Sequence, residues 1–499
     1  MSFIDQMKTE FNLTSTLNGA VTHRTSGDAC LDFFAVAGGM RYRKKRDQIQ
    51  LFEKAYIENS DLAMKLLFHL RDIRQGMGER QLFRTLLKHV ARVWPESAKK
   101  NARFIAEYGR WDDILYLMGT PSQEEAISVI KAQLEKDLES LRLRENGQKD
   151  APISLLAKWL PSGNTSSKRS CAMGKRLAKA FSMDEKSYRR MLSSLRANIC
   201  LTERYLTKKT PEKINYEAVP AGAMLKYRCA FEKHDGERFS AYLQDVGNLD
   251  KQMHADTLFP YEILRPFFKY EWMINKSKGE KTLEALWNSM PFEIGSANAL
   301  SVIDTSGSMY LAREGAVTPA LISQAMGIYC AERCKGLFHN MFITFNTIPT
   351  LMKIKGKTIA DKLRCLQNAP WGGSTDLERV FDLILLSAVK AKAPQSELPE
   401  VLYIFSDMEF NQAIERPNET IYENARMKFE AAGYHLPAVV FHNVNSWQMQ
   451  TPVQAHTKGA ALTSGASVHS LKEKFDGNIT PMSHMLRVLL SKRYEPIHA

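Results

Sequence analysis

Hydrophobic positions recur at three- to four-residue spacing from about residue 50 to 290. In LFEKAYIENSDLAMKLLFHLRDIR the spacing gathers Leu62, Leu66, Leu67 and Leu70. In GERQLFRTLLKHVARVW it gathers Leu82, Leu86, Leu87 and Val90. The QGMGE stretch between them reads as a turn, with Gly76 or Gly78 ending the first helix. SAKKNARFIAEYG and WDDILYLMG predict a further helical pair. SQEEAISVIKAQLEKDLESLRLR predicts a long amphipathic helix carrying Ile130, Leu134, Leu138 and Leu141. Helix–turn–helix units with little strand signal make residues 1–290 an all-α region, a HEAT-like solenoid or a stack of hairpins. No strict period is found, and whether the helices close into a ring is left open.

Residues 162–210 interrupt this order. SGNTSSKRSCAMGKRLAKAF opens polar and flexible and then turns basic, with Lys168, Arg169, Lys175, Arg176, Lys179, Arg189, Arg190 and Arg196 close together. Such a patch suits phosphate, because each cation that neutralises a phosphate releases counterions. The alternative is a solvated helix face. Tyr188 and Tyr205 read as core rather than as base-stacking groups. Arg71, Arg74 and Arg80 face the same choice, between lining a phosphate surface and pairing with Asp72 and Glu79. Arg110-Trp111-Asp112-Asp113 reads as a helix start with Trp111 buried.

After about residue 295 the period changes. Short β-rich runs (ALSVID, HNMFITFN, EVLYIFSDMEF, PAVVFHNV, and AALTSG as a last candidate) alternate with helical ones. This predicts an α/β domain over residues 291–499, a parallel sheet covered on both faces. Ligands of such sheets sit beyond the C-terminal strand ends, and the chemistry-bearing residues stand there. Asp304-Thr305-Ser306-Gly307-Ser308 follows the first strand. Gly372-Gly373-Ser374-Thr375-Asp376 precedes a helix, and Ser406-Asp407 follows VLYIF. Two carboxylates with hydroxyls form a hard-oxygen set, which suits Mg²⁺, Mn²⁺ or Ca²⁺ rather than zinc. Asp376 and Glu409 flank the set, Asp376 also fitting a helix first turn. His339 and His442 join no triad or dyad and read as ordinary core or surface histidines.

Composition narrows the partners. The 499 residues carry a net charge of +13, unevenly spread: residues 1–290 hold 48 Lys+Arg against 36 Asp+Glu, and residues 291–499 hold 20 against 19. A polyanion partner for the first part follows as an expectation. No apolar run approaches the roughly 18–20 residues a membrane span needs. Asp5 and Glu10 stand where a signal peptide would place its basic head and apolar core, so a cytoplasmic protein is expected. Seven scattered cysteines fit free thiols better than a disulfide framework.

The site motif resembles the metal-ion-dependent adhesion site of the von Willebrand factor A domain, a DxSxS loop with a Thr and an Asp from two later loops. Asp304, Ser306, Ser308, Thr375 and Asp407 match it, over about residues 296–465. The resemblance implies a divalent cation, Mg²⁺ first, and an acidic ligand completing its shell. The stretches LFHLRDIRQGMGERQLFRTLL, FIAEYGRWDDILYL, ISLLAKWLPS and NYEAVPAGAMLKYRCAFEKHDGERFSAYL resemble a domain-of-unknown-function family that joins such helices to a C-terminal A-type domain. Its architecture is similar to the TROVE module of Ro ribonucleoproteins. That likeness implies binding of small non-coding or misfolded RNA; the basic residues Lys168, Arg169, Lys175, Arg176, Arg189, Arg190, Arg71, Arg74 and Arg80 are the candidate contacts by their charge, and no catalysis, membrane or small-molecule substrate is expected. A protein–protein adaptor is the alternative. A metal-dependent nuclease is a weaker one, since no base or nucleophile accompanies the site.

Overall fold

The computed structural model describes residues 11–269, 273–275, 277–291, 294–295, 298–304, 306–311, 316–345, 348–369, 375–413 and 419–499. Asp5 and Glu10 lie outside them. The hydrophobic stripes form the helices Lys45–Glu58, Ser60–Arg71, Arg80–Val93 and Gln123–Glu145. Leu66, Leu67, Leu70, Leu82, Leu86, Leu87 and Val90 are buried, each such side chain contributing about 1.5–3 kcal/mol. Asn59 caps Ser60–Arg71 by accepting from the Leu62 N–H at 3.0 Å.

The turn expected at Gly76 or Gly78 differs in detail. The helix already ends at Arg71. The chain then folds back so that the Met77 N–H donates to the His69 carbonyl (3.0 Å) and the Glu79 N–H to that of Leu70 (2.7 Å). A Cβ at position 76 would stand 2.0 Å from the His69 oxygen, so Gly76 is fixed by close approach, not by a helix end. WDDILYLMG gives only a short 3₁₀ turn, Ile114–Leu117. There the Asp113 carboxylate accepts from the Arg110 backbone N–H at 3.0 Å, a local bond that competes with α-helix. Trp111 is half-buried rather than buried.

The basic stretch is not an interruption. It folds as Lys168–Ala180, Glu185–Asn198 and Thr202–Thr207, with Ser167 and Asp184 as caps on the first two. Leu177, Ala178, Tyr188, Leu192 and Leu195 form a buried stripe continuous with the core of the preceding helices, which offsets the entropy of ordering a polar segment. Tyr188 is core, as its sequence context suggests.

Two short hairpins, β1 (Leu13–Ser15) with β2 (Val21–His23) and β3 (Phe268–Lys269) with β4 (Met273–Ile274), lie outside the main sheet. That sheet contains β5 (Ala299–Asp304), β6 (Met341–Phe345), β7 (Thr350–Lys353), β8 (Val401–Ser406), β9 (Ala438–Asn443) and β10 (Ala460–Ser464), in the order β10-β9-β8-β5-β6-β7. All neighbours run parallel except β6 and β7. The wholly parallel expectation fails at β7 because so short a connection can only turn back on itself.

Alternate side chains enter opposite cores. Leu300, Val302, Leu402, Ile404, Val439 and Phe441 face one side, with Ala29–Val36, Leu377–Ala391, Ile421–Ala431 and Pro481–Leu489. Ala299, Ile303, Val401, Tyr403 and Val440 face the other, with Pro319–Arg333, Pro260–Leu264 and Glu280–Asn288. The helical half therefore begins on one face of the sheet and ends on the other. At the first junction a Cβ on Gly38 would meet the Ser464 carbonyl at 2.5 Å, so only glycine lets the chain lie on that strand end. At the far end, residues 491–499 return to the helical half: Tyr494 and Ile497 are buried, and the Ala499 N–H donates to Asp61 at 2.7 Å. No helix among the described residues is long and apolar enough to cross a membrane. All seven cysteines are free.

Candidate cation site

Parallel pairing of β5 with β8 brings Ile303 beside Phe405, so both strands deliver their next residues, Asp304 and Ser406, to one edge. The chain crosses from β7 back over β5 to β8 here, which makes this edge the point where the strand order reverses. Asp304 is fully buried. Its Oδ1 accepts from the Ser306 N–H at 2.9 Å, and its Oδ2 from the Ser406 hydroxyl at 2.5 Å. The Ser306 and Ser308 hydroxyls stand 3.1 Å apart. Asp407 is 2% exposed; its Oδ1 accepts from the Glu409 N–H at 3.3 Å.

Two buried carboxylates thus share one edge. Burial first, and then the charge of Asp407, push the Asp304 carboxyl up to about 7. Burial likewise raises Asp407, although the Ser308 hydroxyl and the Trp447 indole lie near enough to favour its charged form. Even so, Asp407 Oδ2 accepts no hydrogen bond of normal geometry among the described residues. A buried carboxylate oxygen left bare is costly, and a cation is what such a donor set fits.

Thr375 is positioned by contacts with two asparagines. Its N–H donates to Asn411 Oδ1 at 3.2 Å, its carbonyl accepts from the Asn411 N–H at 2.8 Å, and its hydroxyl accepts from Asn18 Nδ2 at 3.3 Å. Asn18 also donates to the Glu409 carbonyl at 2.6 Å, and Glu409 takes the Leu17 N–H at 2.7 Å. The β1–β2 hairpin therefore ties the Thr375 and Asp407 loops together. The sequence gives no local signal for Asn18 or Asn411, whereas Ser406 stands next to Asp407 at the same strand end. Asp376 caps Leu377–Ala391 and pairs with Arg379 at 3.0 Å, so it serves that helix. His442 is core, held between Thr463 (2.8 Å) and the Gly465 carbonyl (2.9 Å). Thr305 and Gly372-Gly373-Ser374 lie outside the described residues. A second group of possible ligands, Asp28, Cys30 and Glu58, is occupied in capping: Asp28 takes the Leu31 N–H and Glu58 the Ala29 N–H.

The basic residues separate into two groups. Lys168, Arg169, Lys175, Arg176, Arg189 and Arg190 are exposed on the two helices around residues 168–198. Arg74 and Arg80 are exposed too, but Arg71 is 4% exposed and bonded to Asp113 at 2.8 Å. Arg71 cannot line a phosphate surface, because the fold needs its charge against a buried carboxylate. Nor do these arginines pair with Asp72 and Glu79, which bond instead to Arg493 (2.8 Å) and Arg41 (2.6 Å). Partial desolvation first, and then the charges of Arg110, Arg84 and Arg71, lower the proton affinity of Arg80.

Two family models match the chain. A domain of unknown function, DUF2828, matches residues 16–131 and 125–297, the helical half; another, DUF7788, matches residues 298–484, the sheet domain. The chain belongs to the DUF2828 family. Among proteins similar to this DUF2828 chain, Uncharacterized protein L728 of Acanthamoeba polyphaga mimivirus is 30% identical over 520 residues, covering 96% of this chain and 87% of that protein. Among solved structures, the Deinococcus radiodurans Ro (RSR) protein matches 93% of this chain and 99% of its own, at 12% identity and a TM-score of 0.41.

Proposed function

We propose that this protein binds rather than turns over its partners, and does so in the cytoplasm. Its C-terminal half acts as a von Willebrand factor A-type domain, with Asp304, Ser306, Ser308, Thr375 and Asp407 holding a divalent cation, Mg²⁺ before Mn²⁺ or Ca²⁺. An acidic ligand from outside completes the shell. Its helical half binds small or misfolded RNA in the manner of Ro proteins. The observation that carries the cation reading is the bare, buried Oδ2 of Asp407 beside a second buried carboxylate. The RNA reading rests on charge. Lys168 and Arg169 open a helix at its positive dipole end with no acid in the first turn, and the exposed cations of the next helix add to that potential.

Calorimetry with Mg²⁺ and Mn²⁺ tests the first half: native protein is expected to give binding heat that Asp304→Ala abolishes. Equal heats in both proteins would remove the site. For the second half, affinity for single-stranded and stem-loop RNA is expected to fall steeply with salt. Changing Arg189 and Arg190 to Gln should flatten the log–log slope by roughly 0.7–0.9 for each phosphate that is no longer neutralised. A second reading, a protein–protein adaptor, is favoured by an apolar fringe near the cation site, where Leu17, Leu311 and Trp447 are 71%, 61% and 40% exposed. A salt-independent or absent RNA response, with no nuclease-sensitive absorbance at 260 nm in the purified protein, would select it.

A further inference from the structure

A cavity of about 360 Å³ lies where the helical half meets the C-terminal end of β10, at the outer end of the strand order from β5. That is within the range of small-molecule sites, roughly 300–1,000 Å³. Three elements far apart in the chain build it: the turn after Ser60–Arg71, the segment that follows β10, and the helix Pro481–Leu489.

Each element contributes one cation. Arg74 comes from the turn, Lys472 from beyond β10, and Arg487 from the helix. The only carboxylate on the wall among the described residues is Glu473, and it lies 3.9 Å from Arg487, a stretched contact. Lys472 makes no ion pair or hydrogen bond through its ammonium among the described residues. Arg74 spends one nitrogen on the Glu107 carbonyl at 3.0 Å. Asp72, nearby and fully buried, is already taken by Arg493 at 2.8 Å. The wall therefore carries a positive excess that the protein does not neutralise.

The histidines of the wall add polarity without charge. Burial pushes His69 and His469 down to about 4 and His484 to about 3, which leaves all three neutral at pH 7. His484 is 1% exposed, and its Nδ1 has no hydrogen-bond partner among the described residues. A buried polar atom of this kind is rare unless a bound group supplies the partner. Phe34, Met77 and Val488 give the rest of the wall an apolar surface on which an organic moiety can rest.

We propose that this cavity binds a small phosphate-bearing molecule, its phosphate held by Arg74, Lys472 and Arg487 and its organic part against Phe34 and Met77. A phosphate monoester is close to dianionic at neutral pH and offers several acceptor oxygens, which suits a wall to which three separate elements each bring a cation. This proposal uses none of the five cation-site residues and, of the residues offered to RNA, only Arg74.

The test is calorimetry on the full chain in EDTA, with AMP, adenosine and inorganic phosphate as probes. AMP is expected to bind and adenosine not. Binding of inorganic phosphate as tight as that of AMP identifies the free anion as the source; tighter binding of AMP identifies a monoester. Lys472→Gln and Arg487→Gln, both on solvent-accessible side chains, should each weaken binding by roughly tenfold while melting like the native protein. Asp304→Ala should leave it unchanged. No heat from AMP or phosphate at millimolar concentration, equal binding of adenosine, or native affinity in both folded Gln variants would overturn the assignment.

Discussion

Asp113→Ala is expected to destabilise the protein by about 3–5 kcal/mol, the range for breaking a buried ion pair from one side. Asp113 is fully buried and accepts from Arg71 Nε at 2.8 Å, Arg84 Nε at 2.5 Å and the Arg110 backbone N–H at 3.0 Å. Without it, the Arg71 guanidinium, 5% exposed, keeps its charge and loses its acid. Arg84 suffers less, because Asp112 still holds it at 2.6 Å. Asp113→Asn preserves an acceptor and the shape of the side chain, so it should recover part of the difference. Chemical unfolding of the three proteins measures this. A native midpoint in Asp113→Ala would show that the cluster contributes nothing to stability.

The second large effect is expected at the other end of the chain. Tyr494→Ala should cost about 3–5 kcal/mol, as other buried aromatic truncations do. The ring is 1% exposed and stacks on Tyr108 with centroids 5.8 Å apart. Its hydroxyl bonds His69 Nδ1 at 3.0 Å and Asp72 at 3.3 Å, and its carbonyl receives Lys65 Nζ at 2.6 Å. Alanine removes the ring and leaves His69 and Asp72 each one partner short. Tyr494→Phe keeps the packing and should cost only about 1 kcal/mol, the worth of the hydroxyl's bonds. Thermal melting separates the two. An equal drop in both variants would mean that the hydroxyl, and not the ring, fastens the tail.

The two buried carboxylates are legible in the sequence because they stand at strand ends. A buried parallel strand reads as an apolar run, and the residue after the run must emerge at the sheet edge. Asp304 and Asp407 follow this rule directly. Thr375 is less direct: its side chain meets the described structure through Asn18, some 350 residues earlier in the chain. The arginines were legible only as charges. Arg71 and Arg74 are three residues apart, yet one is sealed against Asp113 and the other is exposed. Sequence spacing carries no information on which of them meets a distant carboxylate.

By itself, the sequence determined the local order of this protein. Periodicity assigned the long helices and five of the six strands of the sheet, and residue chemistry marked the sheet edge where Asp304 and Asp407 stand. Those are short-range properties, fixed by how each segment buries its own apolar face. Tertiary structure alone decided what depends on contacts between remote segments: the hairpin Leu13–His23 laid across the site, the helical half fastened to both faces of the sheet, the tail around Tyr494, the choice of ion-pair partners, and the cavity that three separate elements enclose. Charges and hydroxyls find such partners only after the core has set their positions.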